Sequence, residues 1–217
     1  MSRLSTSLAL LTERRVGLYI LIDAGIVFAA VVMGFSGSGT APEFYPVLFF
    51  IPAFAIALPM MADCVAVERR AGTIDLVLTS PGSGYYFERH VLSVALPLIV
   101  QGWLTLAIPW LLVERFPLSG PAIQIAIVTL FLSAAALNWA VHLRSAGGAV
   151  VLTCLTCVVF APWFFSNPIR PLDVEHGAMA FADYLDFARR NLILAAAAAV
   201  LYAYARRRLA RPETFIT

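Results

Sequence analysis

Of the 217 residues in this chain, 61% are apolar and only 13% are charged, whereas an ordinary soluble domain has about 45 to 50% apolar and about 25% charged residues. The formal net charge is +2, and all 15 basic residues are arginines without a long basic run before the C-terminus, so nucleic-acid binding has little support. These values argue against an ordinary soluble domain and predict a single all-α integral membrane domain over residues 1–217.

Apolar runs bounded by charges or by Pro and Gly clusters predict six transmembrane helices, because about 20 apolar residues cross the hydrocarbon core. We place them at residues 16–35, 46–67, 91–113, 121–141, 147–165 and 187–205. Ahead of the first span, Leu4, Leu8 and Leu11 are at helical spacing and predict an N-terminal interfacial helix. Between the fifth and sixth spans, residues 166–186 are predicted to form short re-entrant or interfacial outer helices.

The distribution of arginine predicts the orientation. Six spans put both termini on one side of the membrane, and the termini and loops on that side hold eleven of the 15 arginines. Because Arg and Lys accumulate on the cytoplasmic side, both termini are predicted to be cytoplasmic. We therefore expect a multi-pass protein of the plasma membrane, and specifically of a bacterial inner membrane.

The first cytoplasmic loop contains the most informative stretch, residues 68–81. Gly72 predicts a break after the second span, Thr73 is a good N-cap, and Asp75 complements the positive end of a helix dipole. Pro81 limits any continuation. A short helix over residues 72–80 is predicted, with apolar contacts from Ile74, Leu76, Val77 and Leu78. Such a helix either docks a partner or rests on lipid headgroups.

The same stretch resembles the signature of the type-2 ATP-binding-cassette (ABC) exporter permeases, in which a Glu at the end of the second span is followed by a Gly-Thr pair, an apolar helix and a Pro. The layout predicted for the whole chain is also similar to that family. Related chains often carry a Gly-Lys pair at the start of the third span, where this chain has Arg89 and His90. The matching residues are Glu68, Gly72, Thr73, Leu76, Leu78 and Pro81.

The resemblance implies that residues 72–80 form the coupling helix, which fits a cleft on a cytoplasmic ABC ATPase subunit. The second cytoplasmic loop, residues 143–148, would make a smaller contact. The implied contact residues are Glu68, Arg69, Arg70, Gly72, Thr73, Ile74, Asp75, Leu76, Leu78, Pro81 and Arg144.

The resemblance also implies a second permease copy, identical or homologous, and export of a hydrophobic or amphiphilic substrate. The chain has no G-x-x-x-x-G-K-[ST] loop and no lysine, so it lacks the P-loop that would bind ATP phosphates. We expect a non-catalytic subunit without cofactors of its own, with ATP and Mg²⁺ bound by the partner.

Polar residues inside predicted spans are candidates for function, since a charge at the bilayer centre is costly. Asp23, Gln101 and Asn138 are therefore candidates for a substrate path or a dimer interface, although amides also tie helices together. Asp63 is expected to reach the interface or to pair with a nearby arginine. No metal site is expected, because the three histidines are far apart and the three cysteines lie in apolar runs.

Two alternatives remain open at this stage. The first is an integral-membrane enzyme that modifies a lipid, with Asp23, Asp63 and Glu88 as candidate acids or metal ligands. The second is a membrane anchor that uses the same cytoplasmic helix to dock a partner other than an ATPase. Membrane lipids are expected partners under every one of these hypotheses.

Overall fold

The computed structural model describes residues 24, 25, 28, 32, 49–50, 53–79, 83–112, 118–143, 145–164 and 180–210. These residues form helices and short connections and contain no strand, which confirms the all-α prediction for this part of the chain. The predicted N-terminal interfacial helix, Asp23, Pro81, Arg144 and the outer segment up to residue 179 lie outside the described residues.

The predicted second span is helical but interrupted. A π-helical turn, Ala53–Ala57, leads into α1 (Leu58–Ala62), and α2 (Cys64–Ala71) follows after a turn at Asp63. Pro59 lies in the first turn of α1; it has no N–H to donate, and its ring crowds the carbonyl four residues earlier. The proline therefore accounts for the widened turn that precedes it.

The third predicted span is longer than the sequence indicated. A short helix, α3 (Ile74–Thr79), is followed by α4 (Ser83–Leu112), which begins well before the predicted start at Val91. Phe87 and Val91 lie one turn apart and are both buried, so packing against the rest of the protein extends the helix into the predicted loop. Pro97 lies within α4 and does not end it.

The second half of the chain is built around α5 (Ser119–His142). It is followed by α6 (Ala146–Val159), α7 (Ala161–Phe164) and α8 (Ala180–Leu209). Helix α5 packs against α4, α6 and, most extensively, α8. Residues 131–138 are all buried and include three consecutive alanines, so neighbouring helices surround the middle of α5.

Among the described residues, two segments are long and apolar enough to cross a membrane by length and composition: Tyr85–Ile108 within α4, and Ser119–His142. Ala53–Ala62 and Ala146–Val159 are apolar but shorter. The outward face of α4 carries exposed apolar side chains one helical turn apart, which are those of Leu92, Leu96, Val100 and Leu104. The six-span layout and the orientation stay predictions.

Candidate functional site

The end of α2 turns the chain sharply at Gly72. This residue has φ +68°, and its N–H donates to Arg69 O at 3.2 Å, while the N–H of Thr73 donates to Glu68 O at 3.0 Å. This pair of bonds is a Schellman motif, which satisfies the last carbonyls of a helix and needs a left-handed residue. The predicted break at Gly72 is therefore present, and α3 begins two residues later.

The carboxylate of Glu68 connects three helices. Its Oε2 accepts a hydrogen bond from the Thr73 hydroxyl, and its Oε1 accepts one from the Tyr86 hydroxyl at 2.6 Å. Glu68 belongs to α2, Thr73 immediately precedes α3, and Tyr86 lies in the first turn of α4. We call Glu68, Gly72, Thr73 and Tyr86 the α3 joint, because they fix α3 relative to the helices on both sides.

Helix α3 is only partly packed onto the protein. Ile74 and Val77 are half-buried against the core, whereas Leu76 is 74% exposed. The side chains of Asp75 and Leu78 lie outside the described residues. A large apolar side chain held outward on an ordered helix is available to a partner surface.

Arg69 connects the α3 joint to the second predicted cytoplasmic loop. Its Nη1 donates to the backbone carbonyl of Leu143 at 3.1 Å. Leu143 directly follows α5 as its C-cap, and Ser145 then caps α6 by accepting a hydrogen bond from the Gly148 N–H at 3.1 Å. Two loops that are 74 residues apart in the sequence therefore lie on one surface of the protein.

Asp63 forms an ion pair with the guanidinium group of Arg70. Pairing with a nearby arginine was one of the two arrangements expected for Asp63 from the sequence. Arg70 also donates to Ala66 O at 3.3 Å. The carboxylate is only 14% exposed, while the arginine is 65% exposed. This ion pair lies on α2 beside Arg69, so both arginines of the Glu-Arg-Arg sequence have defined contacts.

A second polar cluster joins the start of α4 to the end of α8. The buried carboxylate of Glu88 lies 3.8 Å from Arg206 Nε, and Tyr202 of α8 is close enough to interact with it electrostatically. The Arg206 guanidinium also lies over the ring of Tyr85, at 5.9 Å from its centroid. Close by in sequence, Tyr204 stacks on His142 of α5, with 4.9 Å between ring centroids.

Two of the three polar residues predicted inside spans are described, and both lie in the interior of the helix bundle. Gln101 on α4 is 7% exposed and Asn138 on α5 is 3% exposed. Asn138 Oδ1 has no hydrogen-bond partner among the described residues. The structure does not place either amide on the outer surface, and their roles in a substrate path or dimer interface stay predictions, as does that of Asp23.

Metal-ligating side chains do not cluster in the described part of the chain, which contains no group of three His, Cys, Asp or Glu residues arranged to hold a metal ion. The three cysteines are free thiols, with Cys64 and Cys157 buried and Cys154 half-buried.

Sequence reasoning missed Tyr86, Arg206 and the Leu143 carbonyl. Tyr86 is 18 residues from Glu68, and Arg206 is more distant still from Glu88, so no local spacing relates the partners. The one available signal was a polar, aromatic segment of residues 84–90 directly before an apolar run, which would have favoured extending α4 backwards.

Comparison of the chain with protein-family models, with curated proteins and with solved structures gave no match. The resemblance to ABC exporter permeases therefore depends on the residues quoted for it and on the layout predicted from the sequence.

Proposed function

We propose that this chain is the permease subunit of an ABC exporter, with six spans in a bacterial inner membrane and both termini in the cytoplasm. In this proposal α3 is the coupling helix that binds a separate ATPase subunit. The observation that carries the proposal is the α3 joint, which holds a short helix with an exposed apolar side chain between two long helical segments.

The hydrogen bonds of Glu68 explain how movement of α3 would reach the rest of the subunit. A coupling helix on a flexible loop would move without displacing the spans. Here, the carboxylate binds hydroxyl groups at the start of α3 and α4 and itself belongs to α2. Displacement of α3 by an ATPase therefore acts on the helices of the second and third predicted spans together.

The contact of Arg69 with Leu143 supports a docking surface made of two loops. The resemblance implies a main contact at residues 72–80 and a smaller one at residues 143–148. The hydrogen bond from Arg69 to the Leu143 carbonyl, directly after α5, joins these two loops on one surface. An ATPase that binds Leu76 would then also reach the start of α6.

The remaining parts of the proposal follow from what a complete exporter of this class needs. ATP and Mg²⁺ bind to the ATPase partner, since the chain has no lysine for a P-loop. A second permease copy, identical or homologous, completes the transport path, and the substrate is hydrophobic or amphiphilic.

The lipid-modifying enzyme is the weaker candidate on the described residues. Two of its three proposed carboxylates have separate partners: Asp63 pairs with Arg70, and Glu88 faces Arg206 and Tyr202. A membrane anchor that docks another protein through α3 shares the exposed Leu76 and is distinguished by the identity of the partner.

The decisive experiment is co-expression with any ABC ATPase that a neighbouring gene encodes, followed by purification through a tag on the permease. Leu76→Asp places a charge on the exposed face of α3 and should abolish co-purification while leaving the thermal unfolding midpoint unchanged. Glu68→Ala should retain binding but reduce permease-dependent ATP hydrolysis. Ala210→Asp, at an exposed position beyond α8, is the matched control and should behave as wild type.

Either of two results contradicts the proposal. If no ATPase co-purifies with the wild-type chain, the anchor or enzyme hypothesis takes its place. If Leu76→Asp binds the ATPase as well as Ala210→Asp does, α3 is not the docking element.

A further inference from the structure

A groove runs along the surface between the α1–α2 segment and the start of α6. Its volume is about 910 Å³, which is within the size range of small-molecule sites in proteins. One side is formed by Ile56, Pro59 and Met60, and the other by Ala146, Gly147 and Val150. The walls formed by these residues are therefore predominantly apolar.

The groove is charged at one end only. Arg69 and Arg70 line it there, together with Asp63 and Ser145. The two guanidinium groups outnumber the single carboxylate, and the first turn of the 14-residue helix α6 adds the positive end of its dipole. An apolar groove with a net positive charge at one end is complementary to a molecule that has an acyl chain and an anionic headgroup.

The position of the charged end of the groove agrees with access from the cytoplasmic leaflet. Arg69, Arg70 and Ser145 belong to the two loops predicted to be cytoplasmic, and Arg69 also contacts Leu143 beside the α3 joint. In the proposed orientation, the charged end lies at the headgroup level and the apolar walls extend into the hydrocarbon. Arginine is well suited to this contact, because its planar guanidinium binds phosphate oxygens through several N–H groups.

We infer that this groove binds an amphiphile with a phosphate headgroup and an acyl chain, taken from the cytoplasmic leaflet, and that such amphiphiles are the substrate class of the transporter. The assignments of a substrate and of the cytoplasmic leaflet rest on the proposed function. Binding itself does not, and it can be tested on the full chain without an ATPase.

The binding test uses phosphatidylglycerol with a photoactivatable acyl chain, reconstituted with the full chain in nanodiscs, and phosphatidylcholine with the same acyl chain as the zwitterionic control. Cross-links are mapped by peptide mass spectrometry. We expect phosphatidylglycerol to label residues 55–70 and 145–150 preferentially. Free inorganic phosphate, which has the headgroup chemistry without the chain, should not compete at millimolar concentration.

Three groove variants and one control variant separate binding in the groove from general membrane contact. Gly147→Trp should remove most labelling, because a Cβ at Gly147 meets nothing within 4 Å and the ring can enter the groove without disturbing α6. Ala196→Trp, at an exposed position on α8 outside the groove, is the matched control. Arg70→Gln should lower phosphatidylglycerol labelling about fivefold and Asp63→Asn should raise it by about the same factor, as expected for one charge at an anionic headgroup.

The outcomes are distinguishable from those of the ATPase experiment. Equal labelling by the two lipids, or labelling that survives Gly147→Trp, overturns the groove as a binding site whatever the ATPase does. Selective binding, with no stimulation of ATP hydrolysis by phosphatidylglycerol in the co-purified complex, overturns the assignment as substrate. Competition by free phosphate would overturn the requirement for an acyl chain.

Discussion

The α3 joint and the middle of α5 are held together in opposite ways. Residues 131–138 of α5 are buried on every side, and its small alanines let neighbouring helices approach closely. The α3 joint, by contrast, depends on one carboxylate, two hydroxyl groups and one left-handed glycine. A tightly packed centre resists change in volume, whereas a hydrogen-bonded joint is sensitive to the loss of single polar atoms.

The largest effect is expected where α4 crosses α5. A Cβ at Gly102 would lie 2.9 Å from Ile125 Cγ2 and 3.1 Å from Phe49 Cδ2, so Gly102→Leu should lower the free energy of unfolding by about 3 kcal/mol through overpacking. The thermal unfolding midpoint in detergent measures this loss. Gly147→Ala, where the added Cβ meets nothing, is the control, and an equal loss in both variants would contradict the tight crossing.

A smaller effect is expected at Gly72. Its φ is +68°, and left-handed backbone is unfavourable for residues with a Cβ. Gly72→Val should therefore lower the free energy of unfolding by about 1 to 2 kcal/mol. No neighbour lies within 4 Å of the added Cβ, so the cost is conformational only. Gly72→Asn should be milder, since Asn adopts this conformation more readily. Thermal unfolding and ATPase co-purification measure both variants; equal effects of Val and Asn would contradict the backbone explanation.

Next in size is the hydrogen bond between Tyr86 and Glu68. Tyr86→Phe should lower the free energy of unfolding by about 1 kcal/mol. This is below the usual value for a hydrogen bond to a charged group, because Tyr86 is 41% exposed. Glu68→Ala, which removes the acceptor oxygens, and the double variant complete a double-mutant cycle. Thermal unfolding gives the coupling energy, and stimulation of ATP hydrolysis should fall in Tyr86→Phe while ATPase binding is retained. Additive effects of the two single variants would show that the bond does not form.

The smallest effect is expected at the second polar cluster. Arg206 is 57% exposed and 3.8 Å from Glu88, so Arg206→Gln should change the free energy of unfolding by no more than about 1 kcal/mol, as is usual for ion pairs open to solvent. Raising the salt concentration should reduce the difference between this variant and wild type. Arg207→Gln is the control, and a difference that does not depend on salt would point to packing on Tyr85 instead of charge.

Local features of the α3 joint could be predicted from the sequence, and long-range ones could not. Gly72, Thr73 and the apolar residues after them indicated a break followed by a short helix, because these signals act over a few residues. The hydrogen bonds to Tyr86 and Leu143 depend on how α4 and α5 pack, and nothing in the spacing of residues encodes that packing. The interruption at Pro59 and the early start of α4 were missed for the same reason, since the apolar pattern is continuous across both.

Pro97 interrupts the backbone hydrogen bonding of α4. A proline within a helix cannot donate to the carbonyl four residues earlier, here that of Ser93, so the helix bends more easily at this turn than a fully hydrogen-bonded turn would. On the N-terminal side of Pro97, Tyr86 is hydrogen-bonded to Glu68. On the C-terminal side, Gly102 lies close against Ile125. The 30 residues of α4 span about 45 Å at 1.5 Å per residue, and we expect bending at Pro97 to let the N-terminal part follow the α3 joint while the C-terminal part stays packed on α5.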